Sequence, residues 1–147
     1  MRLILNLMVL ILIVLGLAGC FKNAVPDEDT IKNKVLANLT LYEEVAARAL
    51  SSNVTRVSRT GSFPKGVLSE EEYSWFLSMF DQLGIQTGIQ VDLESKHVEF
   101  IYWSSGIVSR GEAILLIKLA NEVQAPQIRY ASCIDITHLW VLCRQIS

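Results

Sequence analysis

An almost unbroken apolar run occupies residues 3–17 of this 147-residue chain, with the basic Arg2 before it and polar sequence soon after it. A helix that spans a bilayer needs about 20 apolar residues at a rise of about 1.5 Å each, so the run is too short to cross a membrane comfortably. A basic start, a short apolar core and closing small residues are typical of a secretion signal, which is removed from the mature protein. An uncleaved anchor or a buried helix is the alternative.

The apolar run closes with the residues Leu17-Ala18-Gly19-Cys20. This order of charge, apolar core, small residues and cysteine resembles the lipobox of bacterial lipoproteins, in which the cysteine is acylated, for example with palmitate, and the segment before it is removed. The resemblance covers residues 1–20 and says nothing about the rest of the chain. It divides the chain into a signal peptide (1–19), a lipidated tether (20–27) and a single small domain (28–147).

The residue after the cysteine bears on the cellular location of the protein. Phe21 stands where lipoproteins that stay at the inner membrane often carry Asp. The resemblance therefore implies a lipid-anchored protein of the cell envelope, at the outer membrane and facing the periplasm if the host is Gram-negative. The membrane, reached through the lipid on Cys20, is the first expected partner.

Charge and length limit what the mature chain can bind. Arg2 is the only charged residue among the first 19, so 12 of the 13 basic residues and all 15 acidic residues remain, which gives a net charge of −3. Affinity for nucleic acid needs clustered Lys and Arg that release counterions from phosphate, so we expect no nucleic-acid partner. The remaining 128 residues suit one domain with its own core.

Two cysteines remain once Cys20 is set aside, Cys133 and Cys143. An even pair in a chain bound for an oxidising compartment predicts a disulfide, which would close a loop of about 11 residues and contribute about 2–3 kcal/mol. Two buried free thiols are the alternative, because the sequence does not give the distance between the Cα atoms. No cysteine or histidine pair stands at the spacing of a zinc site, and we predict no cofactor.

Two amphipathic helices are expected in the first half of the domain. After the acidic residues 27–29, apolar residues recur at intervals of three and four, which predicts one helix that ends near Ser51. Ser69 and Glu72 form the pattern of a capping box before an aromatic face, and Gly84 stands where a left-handed C-cap is wanted. Between the helices we expect an edge strand or a loop at residues 54–60, and a connection at 61–66.

The apolar pattern changes to strict alternation after Gly84. Residues 89–93 and 98–102 are apolar at every second position, which predicts the two strands of a hairpin. With Ser95-Lys96 as a two-residue turn, Leu93 pairs with Val98, while Ile101 and Trp103 lie on the outer face. Ser-Lys is not a preferred turn pair, so a longer turn with shifted pairing is the alternative.

The outer face of this hairpin is the one place where potential ligands converge. It carries four candidates for a metal or acid–base site: Asp92, Glu94, His97 and Glu99. The two-residue turn pairs Glu94 with His97 and Asp92 with Glu99, and facing like charges are destabilising unless a cation or proton is shared. A solvated face relieved by Lys96 is the interpretation that we favour, so we predict no catalytic or metal residue.

The second half of the domain is expected to be mainly strand. Residues 112–119 suit a buried strand, although a capping box at Ser109 would suit a helix. Residues 104–106 suggest a turn, and residues 134–146 suggest a terminal strand that includes His138 as a structural histidine. The predicted fold is α+β, with two amphipathic helices packed on one antiparallel sheet of four to five strands.

The sequence contains no recognised catalytic or phosphate-binding motif. It favours a non-enzymatic envelope lipoprotein that binds another protein, as an immunity or inhibitor protein or as an accessory of an envelope complex. By analogy with other small acidic lipoproteins, the partner would be basic. The alternatives are a metal-dependent or hydrolytic periplasmic enzyme that uses the acidic hairpin, and a purely structural envelope lipoprotein.

Overall fold

The computed structural model describes residues 25–107, 110–120 and 132–146. The helices in these ranges are α1 (Glu28–Ala37), α2 (Leu39–Ser51) and α3 (Glu70–Leu83). The strands are β1 (Arg56–Ser58), β2 (Gly61–Phe63), β3 (Gly88–Asp92), β4 (His97–Ile107), β5 (Arg110–Lys118), β6 (Ser132–Thr137) and β7 (Trp140–Ile146).

All seven strands form one antiparallel sheet in the order β2-β1-β3-β4-β5-β7-β6, with helices packed on it. The α+β class is confirmed. The predicted numbers of two helices and four to five strands are wrong, since the described residues form three helices and seven strands. β1 and β2 have three residues each, too few to show alternation, and β1 lies inside the sheet rather than at its edge. Residues 104–106, expected as a turn, continue β4.

The first predicted helix is two helices that meet at Asn38. The Asp27 carboxylate accepts from the Thr30 N–H at 2.9 Å and caps α1, in agreement with the acidic start. Asn38 leaves the helical conformation with φ −125° and ψ 21°, and its side-chain amide donates to the Lys34 carbonyl at 2.9 Å. A side chain that competes for backbone hydrogen bonds interrupts the helix although the apolar period continues.

Helix α3 agrees with its sequence pattern at both ends. The Ser69 hydroxyl accepts from the Glu72 N–H at 3.2 Å, and the Glu72 carboxylate accepts from the Ser69 N–H at 2.8 Å, so the capping box is confirmed. Gly84 ends the helix in the left-handed conformation, with φ 69°.

The predicted hairpin is β3–β4, and its longer-turn alternative is confirmed. Residues 93–96 connect the strands, so the pairing shifts by two residues and Asp92 pairs with His97. The Asp92 carboxylate accepts from the N–H groups of Glu94 at 2.9 Å and Ser95 at 3.0 Å. These hydrogen bonds from the backbone to the Asp92 side chain stabilise a four-residue connection. Ser-Lys, in contrast, is not a preferred pair for a two-residue turn. Because the shift is two residues, each side chain keeps its predicted face.

A β-bulge in β4 carries Trp103 to the core. Ile101 and Trp103 lie opposite consecutive residues of β5, so Tyr102 has no partner of its own in that pairing. Tyr102 and Trp103 are both buried in the main core. The prediction that Trp103 shares the outer face with Ile101 is wrong, because strict alternation does not hold across a bulge.

The helices pack on one face of the sheet and form the main core with it. Its centre is aromatic: the ring of Tyr42 lies 5.4 Å from that of Phe100 and 6.0 Å from that of Trp140, measured between centroids. A second buried cluster faces the opposite side of the sheet and consists of residues in or next to β5 and β7: Leu115, Ile117, Leu119, Val141 and Cys143.

The C-terminal segment is a hairpin of two strands, β6 and β7, rather than one terminal strand. The disulfide between Cys133 and Cys143 is present, and the two residues pair directly across the strands with their Cα atoms 4.1 Å apart. His138 lies in the exposed turn between the strands and not within a strand. Residues 112–119 fall in β5 apart from the last, which confirms the strand over the helix.

Some predictions concern residues outside the described ranges. These are the signal peptide, the lipid on Cys20 and most of the tether. They stay predictions. Within the described ranges, no helix is both long enough and apolar enough to cross a membrane.

Candidate functional site

The candidate ligands of the acidic hairpin surround the β3–β4 turn. Asp92 lies opposite His97, and Gln90 lies opposite Glu99. The predicted pairing of Asp92 with Glu99 and of Glu94 with His97 is therefore wrong, because the turn is two residues longer than a two-residue connection. Glu94 lies in the turn itself and is exposed.

The Asp92 carboxylate stabilises the β3–β4 turn. The hydrogen bonds from Ser95, together with a further backbone hydrogen bond from Glu94, hold the pKa of the Asp92 carboxyl below its ordinary value. The carboxylate is therefore ionised at neutral pH and is occupied by backbone N–H groups. A group in this state is poorly suited to donate a proton as a general acid.

His97 contacts its neighbours on both ring nitrogens. Its Nδ1 lies 2.6 Å from the Ser95 hydroxyl, and its Nε2 lies 3.5 Å from Oε1 of Glu99. In the described part of the chain, no three His, Cys, Asp or Glu side chains come together in a group that could hold a metal ion. The hairpin brings Asp92, His97 and Glu99 near one another as parts of a hydrogen-bonded turn.

A second polar cluster joins α2 to the C-terminal half of the sheet. Glu43 accepts from the indole N–H of Trp140 at 2.6 Å and forms an ion pair with Lys118. The Lys118 ammonium also lies 5.2 Å from the ring centroid of Trp140. Glu43 is 75 residues from Lys118 and 97 from Trp140 along the chain, so no local spacing in the sequence signals this cluster.

The charge of Glu43 follows from this cluster. Burial alone would raise the pKa of the carboxyl, but the hydrogen bonds from Lys118 and Trp140 and the positive charge of Lys118 outweigh it, so the pKa is lowered. The carboxylate is ionised near neutral pH. The cluster therefore acts as a clamp that holds α2 on β5 and β7.

Two tyrosine hydroxyls meet inside the core. Tyr42 and Tyr102 are hydrogen-bonded to each other, and the Tyr102 hydroxyl donates to the Leu83 carbonyl at 3.1 Å. Burial is the main cause that raises the pKa of both tyrosines, so both stay neutral. The pair satisfies its own hydrogen bonds and connects α2 and β4 to the end of α3, which is a structural role.

The most exposed large apolar side chain in the described ranges lies at an edge of the sheet. Phe63, on the edge strand β2, is 62% exposed, and Val67 shortly after it is 40% exposed. Aromatic residues, Phe among them, are enriched at protein interfaces relative to the rest of the surface. Phe63 makes this edge the strongest candidate for a binding surface.

Phe63 begins a row of side chains on the face opposite the helices. Phe63 pairs with Arg56, and Arg56 pairs with Gln90 on the next strand. Val57, the next residue of β1, is buried in the main core, so the row faces away from the helices. Arg56 and Gln90 are both exposed. We call the residues Phe63, Arg56, Gln90 and the exposed Lys65 the Phe63 surface.

The chain around Phe63 is basic although the protein is acidic overall. Residues 45–69 contain no acidic side chain and four basic ones: Arg48, Arg56, Arg59 and Lys65. Two of these are engaged, since Arg59 pairs with Asp81 at 2.7 Å and Arg48 lies over the ring of Trp75 at 4.2 Å. Arg56 and Lys65 are exposed and form no ion pair with any residue that the structure describes.

The Phe63 surface and helix α1 lie at opposite edges of the sheet. The edge strands are β2 and β6, and α1 packs against β6. Neighbouring strands are about 4.8 Å apart, so the six spacings between the edges amount to about 29 Å. The chain enters the described domain through α1, which contacts the edge strand β6.

Sequence reasoning did not single out Phe63. The signal that marks it is an aromatic residue outside any apolar period, between Gly61 and Gly66, in a stretch without acidic residues. No protein-family model, curated protein or solved structure matches the chain.

Proposed function

We propose that this chain is a lipid-anchored protein of the cell envelope that binds another protein and has no catalytic activity of its own. Cys20 carries the lipid, and residues 20–27 tether the domain to the membrane. The protein acts as an immunity or inhibitor protein or as an accessory of an envelope complex. In a Gram-negative host it lies at the outer membrane and faces the periplasm.

Two features support the proposed location in the cell envelope. The order of Arg2, the apolar run and the small residues before Cys20 resembles a lipobox. The disulfide between Cys133 and Cys143 is of the kind that persists in oxidising compartments such as the periplasm.

The exposure of Phe63 is the observation that carries the binding function. An aromatic side chain that is 62% exposed, beside an exposed arginine on the sheet face opposite the described helices, resembles the anchor residues of protein interfaces. The same exposure favours a binding protein over a purely structural one, because it serves no packing purpose in the domain.

The enzyme alternative finds less support. Asp92 closes a turn, and the groups around His97 are hydrogen-bonded neighbours within one hairpin. A His97→Ala variant separates the two classes. A binding protein keeps its partner after this change, whereas an enzyme that uses the hairpin loses its activity.

The proposal is tested by crosslinking and affinity purification from envelopes that contain the lipidated protein. We expect one partner in near-stoichiometric amount with wild type, and at least a tenfold loss with Cys20→Ala and with Phe63→Ala. Ile146→Ala is the matched control, since Ile146 is 58% exposed at the end of β7. Purification of the lipid-anchored protein without a partner would contradict the binding function.

A further inference from the structure

We infer that the partner presents an acidic surface, which Phe63, Arg56 and Lys65 recognise. This inference rests on the proposed function and names the chemistry of the protein that binds the Phe63 surface. It differs from the expectation based on the mature chain as a whole, whose net charge of −3 would favour a basic partner.

Local charge decides recognition because ionic interactions in solution are screened within about 8 Å at physiological salt. The nearest acidic residues along the chain, Glu70–Glu72, belong to α3 on the opposite side of the sheet from Arg56. Asp92, two residues beyond Gln90 on β3, is a diagonal neighbour of Arg56 on the same face, and its carboxylate accepts from the N–H groups of Glu94 and Ser95. Glu99 shares the row of Arg56 but lies two strands away, about 10 Å, and contacts His97. The field next to Phe63 is therefore set by Arg56 and Lys65.

The geometry of the pair fits an acidic segment that also carries an apolar residue. Directly paired side chains on neighbouring antiparallel strands have Cβ atoms about 5 Å apart, so Phe63 and Arg56 present an apolar group and a cation side by side. A guanidinium binds carboxylates through two parallel hydrogen bonds, and the exposed ring beside it excludes water from that contact.

A membrane with anionic headgroups would offer the same charge. The seven residues from Cys20 to Asp27 reach at most about 25 Å when fully extended. About 29 Å separates β2 from the edge on which α1 packs. The tether thus joins the domain at a helix that contacts the edge opposite β2, which favours a protein over a membrane at the Phe63 surface, and we commit to a protein partner.

The test uses the full lipidated chain in detergent and two immobilised random copolymers, one of glutamate and tyrosine and one of lysine and tyrosine. We expect the glutamate–tyrosine copolymer to bind wild type, and Arg56→Glu and Phe63→Ala each to weaken that binding about tenfold. Lys32→Glu, which makes the same charge change on α1, is the matched control and leaves the affinity unchanged. Circular dichroism verifies that each variant is folded.

Three results would overturn the inference. They are a glutamate–tyrosine affinity that Arg56→Glu leaves unchanged, a lysine–tyrosine affinity that depends on Phe63, and lipid adducts from a photoreactive residue at position 63 in phosphatidylglycerol vesicles. The copolymer result is independent of the envelope purification. If no envelope partner is found while the copolymer preference holds, the proposed function fails and the charge preference stands.

Discussion

At one edge of the sheet, β6 and β7 pair over most of their length, share the Cys133–Cys143 disulfide, and are joined to α2 through Trp140. We call this the closed edge. At the other, open edge, β1 and β2 have three residues each and expose Phe63. The closed edge is held by a covalent bond and by the aromatic core around Trp140, whereas the open edge is held by short backbone pairing and by Arg59, which pairs with Asp81 and donates to the Ile85 and Gln86 carbonyls.

The difference indicates that stability and recognition are assigned to separate parts of the molecule. The side chains of the Phe63 surface are exposed and point away from the main core, so substitutions of these residues can alter binding while the core stays intact. The short length of β2 also limits edge-to-edge pairing with other chains, which leaves side chains rather than backbone groups to make the contact.

The largest expected effect is that of Trp140→Ala. Trp140 is almost fully buried, contacts the rings of Tyr42 and Phe100, and donates to Glu43. Its removal should lower the free energy of unfolding by about 3–5 kcal/mol, measured by urea denaturation followed by circular dichroism. Phe63→Ala is the control at the open edge, with an expected change within about 1 kcal/mol. Equal losses in the two variants would contradict the division between the edges.

Removal of the disulfide comes next. Cys133 and Cys143 are 10 residues apart in sequence, so the crosslink should contribute about 2–3 kcal/mol through the unfolded chain. Urea denaturation of wild type with and without reductant measures this contribution. The double variant Cys133→Ala/Cys143→Ala should be insensitive to reductant. If reduction left the urea midpoint of wild type unchanged, the disulfide would contribute nothing to the difference in stability between the two edges.

Gly88→Ala should loosen the open edge alone. A Cβ at Gly88 would lie 2.2 Å from the Val57 carbonyl oxygen, and its φ of 146° disfavours other residues, so β1 must move away from β3. We expect a cost of about 1–3 kcal/mol and faster amide exchange in residues 56–63, with β6 and β7 unchanged. Gly66 also has a positive φ, but a Cβ there would meet open space. The difference between Gly88→Ala and Gly66→Ala therefore measures the steric clash with β1 alone.

The smallest effect concerns the pH dependence of the Glu43 clamp. Because the pKa of Glu43 is lowered in the folded protein, its stabilisation is present above the ordinary value of 4.5 and is lost as the pH falls through the folded value. Glu43→Gln should cost about 0.5–1 kcal/mol at pH 7, reduced by solvent screening because the side chain is 42% exposed.

The control for the clamp is the neighbouring, exposed Glu44. Urea denaturation between pH 7 and the acid limb should show that Glu43→Gln loses less stability on acidification than wild type, whereas Glu44→Gln follows wild type. Parallel curves for wild type and Glu43→Gln would show that the ion pair with Lys118 contributes nothing.

Local patterns predicted the local parts of this fold. The capping box at Ser69 and the glycine cap at Gly84 define α3 because each uses groups within a few residues. The hairpin faces were predicted from alternation, but its register was not, since Asp92 closes a longer turn. The break at Asn38 and the bulge before Trp103 were missed because a period describes which residues are apolar and not where the backbone departs from regularity.

Long-range features of the candidate sites were beyond the sequence. The Glu43 clamp joins residues 75 and 97 positions apart, and the pairing of Phe63 with Arg56 depends on a hairpin of two three-residue strands. The composition of residues 45–69 was visible, but only the sheet shows that Arg56 and Phe63 face the same side.

Site-specific photocrosslinking in envelopes compares the two edges most directly. Phe63 and Asp135 stand at opposite ends of one row of paired residues across the sheet, and both are exposed. A photoreactive residue at position 63 should give an adduct with another protein, and one at position 135 should give none. A protein adduct at position 135 with none at position 63 would contradict the account.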